Sequence, residues 1–169
     1  YTQLYLGPKY ILLPEVFLKL RNLKSRRKNK IIFVNFGGAD QYNISQAFLN
    51  YLSKNKTDFE RVILVLGILY QELDSINVFV MKNGLDYVEV HHNTSNMGEL
   101  MNQSDIALTS GGLTQWELAC LGIPNFIVST SEREKITAKA MNRLGNVHYL
   151  GCQSEGVSQM FRKSLEIIS

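Results

Sequence analysis

The stretch from Ser110 to Pro124, SGGLTQWELACLGIP, decides how this chain is read. It runs from the end of an apolar strand (DIALTS) through a two-glycine turn into a helix opened by Thr114, and an Ile-Pro pair then starts the next strand. Adjacent glycines let the backbone approach a ligand closely and take φ > 0 without a Cβ penalty. The helix start they feed carries unpaired N–H groups and the positive end of the helix dipole. A phosphate is welcome at such a start.

The same strand, turn and helix alternation extends in both directions. Upstream, IIFVNF (Ile31 to Phe36) has the continuous apolar character of a central parallel strand covered on both faces. It is followed by Gly37, Gly38 and Asp40 and a helical pattern from Ile44 to Leu52. RVILVLG, ending at Gly67, is the next strand, then a helix from Gln71 to Lys82 and the strand YVEVHH. Asn96 begins a short helix, MGELMN. Downstream, Asn125 to Val128 is a strand, Glu132 to Leu144 a helix, Val147 to Leu150 a short strand and Val157 to Ser169 a terminal helix. Near the amino terminus, Tyr10 to Leu13 reads as a short strand or an extended connection, and Pro14 opens a helix, since proline is tolerated in a first turn.

This alternation predicts a Rossmann-like α/β fold, a parallel sheet with helices on both faces. Ligands bind such sheets at the carboxyl ends of the strands, where the strand order reverses. GGAD, HHNTSN and SGGLT all fall at that edge. Their convergence is the main sequence argument for a site.

Composition sets the class. With 169 residues, 45% hydrophobic and 20% charged, the chain suits one α/β domain with a sizeable core. A net charge of +3 demands neither nucleic acid nor a membrane surface. The basic run Lys24, Arg26, Arg27, Lys28 and Lys30 reads as a solvated connection. Cys120 and Cys152 are too few for a disulfide framework, which favours the cytoplasm. The longest apolar run, Val62 to Tyr70, is far short of a membrane span. The opening at Tyr1, without Met and directly apolar, reads as a fragment of a longer protein. Neither GxxxxGK[ST], GxGxxG nor GxSxG occurs, and His91, His92 and His148 have no cysteine pair or spaced carboxylate to form a metal site.

The run from Tyr87 to Pro124 resembles the carboxy-terminal nucleotide-binding half of GT-B fold enzymes that use UDP-sugars. It is similar to the lipid II N-acetylglucosaminyltransferase (MurG). It is closer to the UDP-sugar hydrolase family of the pseudaminic acid pathway (PseG) and its relatives of spore coat polysaccharide synthesis (SpsG). The motifs are NM..LM...D and GG.T.WE...LG.P, supported by VNFGGAD, VLGILY and LGPKYILL with its following Pro-Glu.

The resemblance implies a division into a hinge strand and linking helix over 1–28 and a nucleotide-binding domain over 29–169, with an amino-terminal catalytic domain outside this chain. It implies UDP or a UDP-sugar as ligand, with no cofactor or metal. Gly111, Gly112, Leu113 and Thr114 would bind the diphosphate and Glu117 the ribose. The backbone of His92, with Met97 nearby, would hold the uracil; Gly37, Gly38 and Asp40 would face the sugar and the interdomain cleft. The family's reaction is hydrolysis of a UDP-activated 2,4-diacetamido-2,4,6-trideoxyhexose, with the acid–base histidine on the amino-terminal domain. The catalytic residues are not identified in this sequence, which offers no convincing acid or base. STSEREKITAKAM, which lacks the family's Asn-Gln pair, departs from the pattern. Glycosyl transfer and non-catalytic sugar-nucleotide binding are the other readings.

Structural roles compete at several positions. Thr114 with Glu117 fits a T-x-x-E capping box as well as ribose binding, and Asn96 with Glu99 has the same spacing. Trp116 reads as packing, Asp105 as an acceptor for backbone donors before its strand, and Tyr70 as cover for the sheet edge.

Overall fold

The computed structural model describes residues 2–5, 7, 10–22, 30–145 and 147–168, so Lys24, Arg26, Arg27 and Lys28 of the basic run lie outside the described residues. Six strands form one sheet: β1 (Ile31–Asn35), β2 (Arg61–Leu66), β3 (Val88–His92), β4 (Ile106–Thr109), β5 (Asn125–Ser129) and β6 (Val147–Cys152). Every pairing is parallel, and the order is β3-β2-β1-β4-β5-β6. The order places the topological switch between β1 and β4, where two halves of the chain run outward in opposite directions.

Helices α1 (Glu15–Arg21), α2 (Ile44–Lys54), α3 (Leu73–Lys82), α4 (Met97–Asn102), α5 (Thr114–Leu121), α6 (Glu132–Arg143) and α7 (Val157–Ile168) cover both faces, and a 3-10 turn, Gln153–Glu155, precedes α7. The central strands are apolar on both sides because both sides are covered. Ile32 and Val34 join Phe48, Leu49 and Phe161 in one core. Ile31 and Phe33 point the other way, into a core with Phe17, Met101, Leu118 and Leu121. A third, smaller cluster lies under α6 around Ile127, Ala138 and Met141. The Rossmann-like α/β expectation is met, with each expected strand and helix present.

Residues 11–14 are an extended connection without strand pairing. Beyond them α1 buries Phe17 against α4 and α5. Gly98 makes that contact possible, since a Cβ there would stand 2.8 Å from Leu20 Cδ1. Asp105 does accept a backbone donor, the Ile31 N–H at 3.0 Å, tying the start of β4 to the start of β1.

Neither the capping reading of Asn96 with Glu99 nor the rival capping reading of Thr114 with Glu117 is realised. At α4 the Asn96 side chain makes no cap hydrogen bond, and at α5 the N-cap is Leu113, one residue earlier than a Thr114 cap requires. A shifted form of the box is made by Ser131-x-x-Glu134 at α6, with the return bond going to the residue before the cap. Ser131 Oγ accepts the Glu134 N–H at 3.3 Å, and Glu134 Oε2 reaches back to the Thr130 N–H at 2.8 Å.

Candidate functional site

The loops after β1, β2 and β4 meet at the carboxyl edge, on either side of the topological switch. Buried Asn35, the last residue of β1, donates its side-chain amide to the Val65 carbonyl at 2.8 Å and accepts the Gly37 N–H at 3.2 Å. Gly37 has φ +85°, and a Cβ on it would lie 3.7 Å from Ser110 Oγ, so the two glycine loops are neighbours. Gly67 abuts Gly38, and the Leu69 N–H donates to the Gly38 carbonyl at 3.0 Å. A side chain is excluded at Gly67, whose Cβ would meet the Gly38 backbone at 2.4 Å.

Asp40 belongs to the same loop, but its carboxylate is already engaged. Its two oxygens accept the N–H groups of Ile44 at 2.9 Å and Ser45 at 2.8 Å, which caps α2. The residue is buried and has φ 41°, a left-handed conformation that Asp tolerates better than most residues. Asp40→Ala is expected to lower unfolding free energy in urea by about 2 kcal/mol through loss of both acceptors. A change below about 0.5 kcal/mol would refute the capping role.

At the second loop, no side chain caps the start of α5, and Leu113 is 70% exposed. The helix ends at Gly122, φ 68°, as a left-handed C-cap. Gln115 is fully buried; its Nε2 donates to the Gly111 carbonyl at 2.5 Å, while its Oε1 is buried without a partner. Trp116 packs against the cluster under α6, as expected of a packing residue. Glu117, one turn into the helix, is half-buried, and burial raises its carboxyl above the ordinary glutamate value.

Met97 opens α4, which packs on α5, and its side chain joins the core beneath that helix. His92 is exposed at the end of β3, and β2 and β1 stand between it and β4. Three strand spacings, roughly 14 Å, therefore separate the β3 and β4 backbones. The sequence stretch between His92 and Met97 is what carries the chain back toward α5. Tyr70 is buried in the core beside the Gly67 turn, and its hydroxyl is pushed up to about 12, first by burial and then by the charges of Asp40 and Glu72.

Sequence reasoning did not single out Glu134. Its Cβ lies 2.8 Å from where a side chain on Gly111 would begin, so Gly111 is required by the packing of α6. Oε2 is held by the Thr130 N–H and hydroxyl, both at 2.8 Å. Oε1 lies 4.0 Å from the Cβ position of Gly112. The S-x-x-E spacing at 131–134 was the available signal. Gly112, Leu113, Trp116, Ser131, Arg133 and Glu134 help line a cleft of about 340 Å³ between the starts of α5 and α6.

Larger concavities of about 370 and 580 Å³ occur elsewhere, one at the opposite sheet edge around Lys30, Phe59 and Arg162, the other along α7 around Gln159 and Lys163. Neither is lined by the loops after β1 or β4, so size alone does not locate the site. Among the described residues no cluster of three or more His, Cys, Asp or Glu side chains is arranged to hold a metal ion, and no helix is long and apolar enough to cross a membrane.

No protein-family model matches the chain. It is similar to an uncharacterized protein of Methanocaldococcus jannaschii, at 34% identity over 139 residues, covering 79% of this chain and 28% of that protein. It is also similar to the spore coat polysaccharide biosynthesis protein SpsG of Bacillus subtilis, at 26% identity over 152 residues, covering 89% of this chain and 44% of that protein. The chain thus spans less than half the length of these curated relatives. Among solved structures it superposes on MurG of Acinetobacter baumannii with a TM-score of 0.65 at 15% identity, covering 87% of this chain and 44% of that one. WaaG, a glycosyltransferase involved in lipopolysaccharide biosynthesis, gives 0.59 at 13% identity, covering 92% and 43%. The chain therefore shares its Rossmann-like parallel α/β fold with these proteins.

Proposed function

We propose that this chain is the nucleotide-binding part of a sugar-nucleotide enzyme of surface-glycan biosynthesis, and that it holds UDP at the β1/β4 switch. The observation that carries this reading is the meeting of two glycine loops beside a helix start that no side chain caps. Backbone N–H groups of Gly111 to Thr114 and the Thr114 hydroxyl take the diphosphate, where the dipole of α5 favours negative charge. Glu117 accepts the ribose hydroxyls. The segment from His92 to Met97 borders the base, and Gly37, Gly38 and Asp40 border the sugar, with the Asp40 carboxylate acting through the α2 start it caps. The ligand is a substrate, with no separate cofactor or metal in the scheme.

Similarity to SpsG over most of the chain supports a role in polysaccharide synthesis, and the sequence resemblance to the pseudaminic-acid hydrolases makes water the preferred attacking group. The departing UDP is stabilised by the α5 dipole and backbone donors. An acid or base near its operating pH is also needed, and Tyr70, whose hydroxyl is neutral at pH 7, does not supply it. That group belongs to the remainder of the parent protein. The likeness of fold to MurG and WaaG favours a second reading, in which an acceptor hydroxyl replaces water; product analysis of the full-length protein with and without acceptor separates the two.

Titration calorimetry of the chain with UDP is expected to show 1:1 binding with a dissociation constant in the micromolar to millimolar range. A folded chain that shows no heat of binding at millimolar UDP would sink the proposal.

A further inference from the structure

We infer that Glu134 makes the site discriminate between a UDP-sugar and free UDP, disfavouring the product; this rests on the nucleotide reading above. The geometry is a carboxylate fixed beside a phosphate-binding backbone. Oε2 is pinned by two donors on Thr130, which fixes the direction of Oε1, and Oε1 stands 4.0 Å from the Cβ position of Gly112. Gly111 presses against the Glu134 Cβ and backbone, so the loop cannot move away without separating α5 from α6. Arg133, exposed and at the adjacent position, lines the same cleft with the opposite sign.

A carboxylate at this place opposes a bound diphosphate, and it opposes the two nucleotide states unequally. In a UDP-sugar both phosphates are diesters with one negative charge each. When the bond between the sugar C1 and the β-phosphate oxygen breaks, its electron pair stays on that oxygen. The new C1–O bond comes from water or an acceptor hydroxyl, whose proton is released. The β-phosphate is then terminal and gains most of a second charge near pH 7, because its last proton leaves at about pH 6. Arg133 and the start of α5 attract both states, the product more strongly, and Glu134 opposes that preference because its repulsion grows with the same extra charge. Glu134 is in this sense a specificity-determining residue that helps the site release UDP.

The test measures dissociation constants of UDP and UDP-N-acetylglucosamine for the wild-type chain, Glu134→Gln, Glu134→Ala and Glu132→Gln. Glu132 lies on the same helix and pairs with Lys135 at 3.1 Å, so its replacement makes the same change of charge away from the cleft. Both Glu134 variants are expected to tighten UDP by roughly fivefold to tenfold, and UDP-N-acetylglucosamine by only about twofold to threefold. Glu132→Gln is expected to leave both unchanged. Glu134→Gln keeps a carbonyl acceptor for the Thr130 N–H, and thermal melting verifies that each variant is folded. An unchanged ratio of the two affinities in the Glu134 variants, with both ligands bound, overturns the inference and leaves nucleotide binding standing. Failure of the wild-type chain to bind either ligand overturns both.

Discussion

Gly67→Ala is expected to cost more than about 2 kcal/mol of stability, whereas Gly38→Ala, at the residue it touches, is expected to stay within about 0.5 kcal/mol. The difference is one of direction. A Cβ on Gly67 would be built 2.4 Å from the Cα and carbonyl oxygen of Gly38, and backbone cannot rotate away as a side-chain tip can. A Cβ on Gly38 has nothing within 4 Å. Gly67 has no left-handed φ, so the strain in its variant is purely steric. Relief would require the β2 loop to part from the β1 loop, breaking the bond from the Leu69 N–H to the Gly38 carbonyl. Urea denaturation of the two variants side by side checks this, and equal stabilities would show that the loops are not locked together. Because Gly38→Ala leaves the fold intact, any loss of ligand affinity in it reports on the cleft directly.

These loops also show which parts of the structure were legible in the sequence. Strands β1 and β2 were readable because both their faces are buried, which demands uninterrupted apolar residues such as Ile31 to Val34 and Val62 to Leu66. The glycine turns were readable because Gly37 and Gly111 sit where a side chain is penalised, one by its positive φ and the other by contact with Glu134. Strand order was not readable, since residues of β1 carry no mark of which neighbour they pair with. The order then decided the relative places of the site residues. It set the two glycine loops on adjacent strands and put His92 two strands further out. Spacing alone did not decide capping: N-x-x-E has the right interval but Asn96 turns no oxygen to the α4 donors, and the rival T-x-x-E reading fails because the cap position of α5 falls one residue early, at Leu113. The same spacing at Ser131 and Glu134 did form a shifted box, and it brought a carboxylate into the cleft that periodicity alone could not place.

Glu117→Gln is expected to separate ligand binding from stability in opposite directions. Burial raises the carboxyl of Glu117, so the fold favours its protonated form over the charged one. The sign follows from linkage: the stabilising contribution is complete below the carboxyl's unfolded value and is lost as pH rises through the higher folded one. At pH 7 the charged carboxylate is therefore held at a cost to the fold, through its burial. The glutamine variant is expected to melt at the same temperature as wild type or higher at pH 7, and any advantage is expected to shrink toward zero as pH falls through the ordinary glutamate range. Affinity for UDP is expected to fall roughly tenfold, because a carboxylate can accept from two ribose hydroxyls through charge-assisted bonds while an amide can accept from only one. A residue kept only for structure would give the reverse, a lower melting temperature with affinity untouched. A half-buried acid with no hydrogen-bond partner among the described residues, one turn inside an open helix start, is a charge the fold alone does not need, and in the proposed function the ribose hydroxyls are what it serves.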